Sequence, residues 1–167
     1  MSNLNLQRKD FEIMAPVGSY ESLAAAIEAG ADAVYFGVEG LNMRSRSSAN
    51  FTLNDLAEIV RRCHQEQVKT YLTVNTVIYD ADLDYLDKII IAAKTAGVTA
   101  IIASDIAVFN ACRRHDVEIH ISTQCNITNI EAVRFYANVA DVMVLARELN
   151  LDQVRAIYDA IEAEEIR

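Results

Sequence analysis

Short apolar runs rich in Ile, Val and Tyr alternate along the whole chain with longer segments of helical periodicity. The runs predict strands over Phe11–Ala15, Ala33–Phe36, Lys69–Val74, Ala100–Ala103, Glu118–Ser122 and Asp141–Leu145. The segments between and after them predict helices over Ser19–Ala29, Leu53–Gln65, Ala81–Ala96, Ile106–Arg113, Asn129–Ala137 and Leu151–Ala163. Their apolar residues fall at helical spacing, as in Leu53, Leu56, Val60 and Cys63, or Leu151, Val154, Tyr158 and Ile161. Ser19, Thr52 and Asp80 stand where N-caps belong, and Thr52 with Asp55 has the polar pattern of a capping box. Gly30 and Gly97 sit just past helices, where a left-handed residue is needed.

A weak internal repeat runs through these junctions. Glu28-Ala29-Gly30-Ala31-Asp32-Ala33-Val34 recurs as Thr95-Ala96-Gly97-Val98-Thr99-Ala100-Ile101, with a degenerate copy over residues 136–142. Each copy reads as the turn from a helix into the next strand. Six such units in series predict a parallel sheet, either doubly wound or part of a (β/α) barrel. The strands choose between these. Glu118, His120 and Ser122 oppose Ile119 and Ile121, while Lys69, Tyr71, Thr73 and Asn75 oppose Leu72 and Val74. Glu12 and Met14 likewise oppose Phe11, Ile13 and Ala15. An apolar face toward helices and a mixed polar face toward a lumen favours an α/β fold of partial TIM-barrel type, with about six of eight units.

Composition sets the outer bounds. With 52% hydrophobic residues, the 167-residue chain has the apolar surface to fold, and only 5 Gly and 1 Pro leave little room for linkers. Residues 1–10 are polar, lack the core of a secretory signal, and read as an extension ahead of one domain over 11–167. No apolar run approaches a membrane span. Cys63, Cys112 and Cys125 are far apart and odd in number, so reduced thiols in a cytoplasmic setting are expected. The net charge of -9 excludes an extended nucleic-acid surface.

In a barrel the chemistry belongs at the carboxyl ends of the strands. Those ends carry residues 37–50, Asn75-Thr76, Ser104-Asp105, Ser122-Thr123-Gln124 and Arg147-Glu148. Arg44 and Arg46, with Asn50 nearby, form a candidate anion site that Arg147 could join, because guanidinium presents a planar fork to carboxylate or phosphate. The alternative is a solvated loop whose arginines pair with neighbouring acids. Asn75, Gln124 and Glu148 complete the candidate set for a peptide or a small anionic ligand. His120 shares a strand face with Glu118 and Ser122, but alternate residues are spaced ~6–7 Å, too far for a direct nucleophile–base bond, so a lumen histidine is expected. Asp105 reads as a helix cap, and His64 and His115 as helix-end residues.

Taken in order, these strand ends resemble those of the collagenase-like peptidases, peptidase family U32, whose catalytic type is unknown. The resemblance is carried by Ile13-Met14-Ala15-Pro16-Val17-Gly18-Ser19, by Gly30-Ala31-Asp32-Ala33-Val34-Tyr35-Phe36-Gly37 and by the loop from Leu41 to Phe51. Asn75-Thr76, Ala103-Ser104-Asp105, His120-Ile121-Ser122-Thr123-Gln124 and Leu145-Ala146-Arg147-Glu148-Leu149 complete it. It implies a barrel-like amino-terminal domain and peptide-bond hydrolysis by the full-length protein. Some relatives act instead in RNA or quinone hydroxylation, drawing on prephenate in the RNA case, with cysteines that hold an iron–sulfur cluster. The family's His-Gly-Ala-x-Cys-like segment and its cysteine set are expected after Arg167, so no cofactor is expected in this chain and its own catalysis is left open. A third expectation is non-catalytic: six units leave open sheet edges, which favour homo-oligomers.

Overall fold

A computed structural model describes residues 7–41 and 51–166. Six strands run in chain order: β1 (Met14–Pro16), β2 (Ala33–Phe36), β3 (Lys69–Val74), β4 (Ala100–Ala103), β5 (Ile119–Ile121) and β6 (Val142–Met143). Helices α1 (Tyr20–Glu28), α2 (Leu56–Gln65), α3 (Leu83–Ala96), α4 (Ile106–His115), α5 (Ile130–Tyr136) and α6 (Leu151–Ala163) follow them one by one. Every neighbouring pair is parallel, and spatial order equals sequence order. A doubly wound sheet reverses its order at a switch point, and this sheet has none. It is a partial barrel.

One face of the sheet holds the core. Val34, Phe36, Leu72, Val74, Ile101, Ala103, Ile119 and Ile121 are buried there with Leu23, Ile59, Leu86, Ile90 and Val108 of the helices. The other face curls inward. Across it the Tyr71 ring lies 4.8 Å from that of His120, bridging over β4, and the Tyr71 hydroxyl donates to Glu12 at 2.7 Å, past β2. Ala33 and Ala100 are the small residues in between. Large side chains from odd strands meeting over small ones from even strands is the layered filling of a barrel interior.

Helices α1, α2, α3, α4 and α6 end alike. Gly30, Gln67, Gly97, Asp116 and Glu165 each adopt positive φ, between 52° and 80°. The next N–H then reaches back five residues: Ala31 to Ala26, Val68 to Cys63, Val98 to Ala93, Val117 to Cys112 and Ile166 to Ile161, at 2.9–3.2 Å. After α5 the Val139 and Ala140 N–H groups instead both reach Tyr136. The faint sequence repeat is thus a clear structural one, hidden because only two copies use glycine.

Several sequence expectations change, β5 being Ile119–Ile121 rather than Glu118–Ser122. Phe11 and Ile13 are outside β1 and more than half exposed, because the Ile13 N–H is taken by the Asp32 carboxylate at 2.6 Å rather than by a strand. β6 is shorter than Asp141–Leu145, since the Asp141 side chain accepts the Ile119 N–H at 2.8 Å and Leu145 pairs separately with Ile127. Asp80 is no cap: the chain enters α3 through a 3-10 turn over Asp80–Asp82, and Asp82 accepts the Tyr79 N–H at 3.0 Å. The other two caps hold. Ser19 accepts the Ser22 N–H, and Asp55 takes both the N–H and the hydroxyl of Thr52, at 2.7 and 2.8 Å.

Candidate functional site

At the carboxyl end of β5 the Ser122 N–H still bonds to the Ala103 carbonyl, at 2.8 Å, and a 3-10 turn over Thr123–Cys125 follows. Asn126 turns the chain through left-handed φ, and the fully buried Ile127 drops into the core. Ile127 then pairs with Leu145, and its carbonyl accepts the Ala146 N–H at 2.9 Å. That backbone link brings the loop after β6 alongside the turn after β5. Thr123, Gln124, Asn126, Arg147 and Glu148 consequently line one open depression of about 360 Å³.

Of the sequence candidates, Gln124, Arg147 and Glu148 are therefore brought together. Asn75 ends β3 at the same rim but does not line this depression. Arg44, Arg46 and Asn50 lie outside the described residues. Arg8, Arg61, Arg62, Arg114 and Arg134 each pair with a carboxylate, whereas Arg113, Arg155 and Arg147 are exposed and pair with none among the described residues; of these, Arg147 lines this depression. Its fork of donors is available to a carboxylate, a phosphate or a peptide carbonyl. Gln124 is positioned by the buried Ser122, whose Oγ stands 3.4 Å from both the backbone N and the side-chain Oε1 of Gln124. Thr123 and Asn126 join the site without having been singled out in the sequence; only their adjacency to Gln124 could have marked them.

The other reactive groups are committed elsewhere. Asp105 caps α4 through the Ala107 N–H at 2.8 Å. His115 meets Asp87 of α3 at 2.9 Å, which makes it a bridge between helices. Burial pushes the Cys63 and Cys112 thiols up, to about 11 and about 12, and raises that of Cys125, so none is a ready thiolate. These cysteines stand apart, and no group of His, Cys, Asp or Glu among the described residues could hold a metal ion. The chain's own cysteines thus do not fit an iron–sulfur cluster.

The polar lumen face is real but sits at the opposite end. Glu12 accepts from Lys69 at 2.6 Å and from Tyr71 at 2.7 Å, and His120 Nε2 lies 2.8 Å from Glu118; Glu12, Lys69 and Glu118 stand at or just before strand starts, and Tyr71 and His120 reach toward them from within β3 and β5. Larger depressions of about 630 and 530 Å³ also lie at that end, between neighbouring helix–strand turns. Their walls include groups already paired, such as Asp32 with Ile13 and Lys69 with Glu12. In barrels that end serves stability, and the smaller depression at Arg147 lies at the end that serves chemistry.

The sequence profile of peptidase family U32 matches residues 18–166. A protein of Porphyromonas gingivalis named collagenase is 60% identical over 157 residues, which are 94% of this chain and 38% of that protein. A 23S rRNA 5-hydroxycytidine synthase of Escherichia coli is 37% identical over 153 residues, 91% of this chain and 23% of that protein. The chain thus spans less than two fifths of either relative's length. Among solved structures the U32 peptidase Mk0906 superposes with a TM-score of 0.72 at 14% identity, covering 89% of this chain and 64% of that one.

Proposed function

The chain belongs to peptidase family U32, and on that premise we propose that it is the substrate-holding, amino-terminal part of a peptidase, with peptide-bond hydrolysis carried out by a longer protein. One observation carries the reading: the unpaired Arg147 meets Gln124 and Glu148 at the carboxyl ends of adjacent strands. Arg147 can hold a carboxylate or polarise a carbonyl oxygen, and the Gln124 amide can both donate to and accept from a peptide backbone. Glu148 can accept from a substrate N–H or a water. Among the described residues no serine, threonine or cysteine is hydrogen-bonded to a histidine, so this chain supplies binding and orientation, and the nucleophile and base are assigned to the remainder. Hydrolysis of collagen-derived peptides by the longer protein tests this. Cleavage that co-purifies with the protein and falls in an Arg147→Ala variant is expected; cleavage that separates on successive columns overturns it.

A second reading rests on the 37% identity to the rRNA 5-hydroxycytidine synthase. There the chain is the scaffold of an RNA hydroxylation enzyme and Arg147, with Arg44 and Arg46, holds an anionic small molecule such as prephenate. Any iron–sulfur cluster would need cysteines other than Cys63, Cys112 and Cys125, given their separation. Loss of a hydroxylated nucleoside from cellular RNA when the gene is deleted, seen by mass spectrometry, would favour this reading over proteolysis.

A further inference from the structure

The carboxyl-end rim carries an apolar patch that core packing does not use. Val77, Tyr79 and Ile106 are 65%, 70% and 67% exposed. They stand on adjoining segments, because the Ile78 N–H donates to the Asp105 carboxylate at 3.3 Å and so holds the loop after β3 against the start of α4. The patch stands on the same rim as the depression at Arg147. Cys125 Sγ stands 3.7 Å from the Ser104 carbonyl, which sets the turn bearing Gln124 against the end of β4, where Asp105 and Ile106 follow. One rim therefore runs from apolar surface at β3 and β4 to an unpaired cation after β6.

Exposed apolar surface contiguous with a few polar groups marks a binding site more often than an idle surface. Nucleic acid is a poor match, since its phosphates would meet a chain of net charge -9 and gain nothing from Val77 or Ile106. Peptide matches both ends. Strands lie about 4.8 Å apart, so the patch and Arg147 are separated by roughly 10–15 Å, or three to five extended residues.

We propose that this rim is an extended peptide subsite, which seats apolar side chains on Val77, Tyr79 and Ile106 and a carboxylate a few residues away on Arg147. The inference rests on the peptidase reading and gives it a substrate class: apolar segments followed by an acidic group. Calorimetry with the peptide acetyl-Leu-Leu-Gly-Gly-Glu-amide tests it, alongside one control with Gln for Glu and another with Ser-Ser for Leu-Leu. Arg147→Gln should weaken the acidic peptide about tenfold and leave the Gln control unchanged. Ile106→Ser should weaken the Leu-Leu peptide several-fold and leave the Ser-Ser control unchanged. Both side chains are exposed, so circular dichroism should show the variants folded. Equal binding by all proteins, no binding, or tighter binding of an oligouridylate that is indifferent to Ile106→Ser would each overturn the subsite. Hydrolysis without this variant pattern defeats the subsite alone. The pattern without hydrolysis defeats the peptidase reading alone.

Discussion

The Asp141 carboxylate accepts the backbone N–H of Ile119 at 2.8 Å, tying the start of β6 to the start of β5. Asp32 does the same for Ile13 at 2.6 Å, and Thr99 Oγ1 for Thr70 at 3.1 Å. All three occupy the same place in their units, just after the helix-ending turn and just before the strand. The polar residue of the repeat is therefore a staple between successive strands at the end of the sheet away from the candidate site. Asp141→Ala should lower stability by about 1.5–3 kcal/mol, the range for a hydrogen bond to a charged group, while Asp141→Asn, which keeps an acceptor, should cost less. Urea midpoints of the two variants check this; equal losses would assign the effect to charge rather than to the bond.

The left-handed turn residues allow a test in both directions. Gly97 has φ 80°, and a Cβ there would meet nothing closer than His64 at 3.9 Å, so Gly97→Ala acts through backbone conformation alone. It should destabilise by about 1 kcal/mol. Gln67→Gly relieves the same strain at φ 59° and should stabilise by roughly 0.5–1 kcal/mol. Thermal melts of both variants would show opposite shifts. A destabilised Gln67→Gly would mean that glycine's freedom in the unfolded chain outweighs the relief of strain.

Glu12 makes stability depend on acid. Partial burial pushes its carboxyl up, but the hydrogen bonds from Lys69 and Tyr71 outweigh this and leave it below its ordinary 4.5. A carboxyl lowered in the folded state adds stability that is present above its unfolded value and lost as pH falls through the folded one. Denaturant midpoints should therefore drop as pH falls below about 4.5, and less steeply in Glu12→Gln. An unchanged acid slope in that variant would remove Glu12 from the account. Asp32, Asp55, Glu58, Asp87 and Glu164, each lowered by its own hydrogen-bond partners, add to the slope.

The sheet was legible because its rule is local. β2, β3 and β4 stand at the bounds the apolar runs predict, since both flanking turns are written in the sequence there. β1, β5 and β6 are shorter than their apolar runs because the side chains of Asp32, Ser122 and Asp141 accept from backbone N–H groups at the strand ends. The lumen was legible in its alternation but not in its placement, since alternation fixes a face and not an end. Arg147 with Gln124 could be proposed from strand ends alone. Their meeting depends on the Ile127–Leu145 pair, which no local pattern announces.

Where the edges of β1 and β6 are left uncovered, association is the expected solution behaviour. β1 carries Pro16, which lacks the N–H that pairing needs, so its edge is blunted. The β6 edge is not, and Val142 and Val144 are 42% and 37% exposed beside it. Light scattering should show a concentration-dependent dimer that strengthens with salt, because screening relieves repulsion between copies of charge -9. Val144→Lys should weaken it. A strict monomer at high concentration and high salt would leave the β6 edge without this role.

Arg147 offers the sharpest separation of function from stability. It is exposed and unpaired among the described residues, so removing it breaks no structural bond, and Arg147→Ala should leave the melting temperature within a degree or two of wild type. If it makes a charged hydrogen bond to substrate, the same change should cost the longer protein about 1.5–3 kcal/mol in kcat/KM, roughly 10- to 150-fold. Arg147→Lys then discriminates between charge and shape. A lysine restores the charge but not the planar fork, so partial rescue points to simple attraction, and failure to rescue points to a two-pronged contact with a carboxylate. Unchanged kcat/KM in Arg147→Ala would move the substrate away from the ends of β5 and β6. The search would then pass to Asn75 and the rim beside β3.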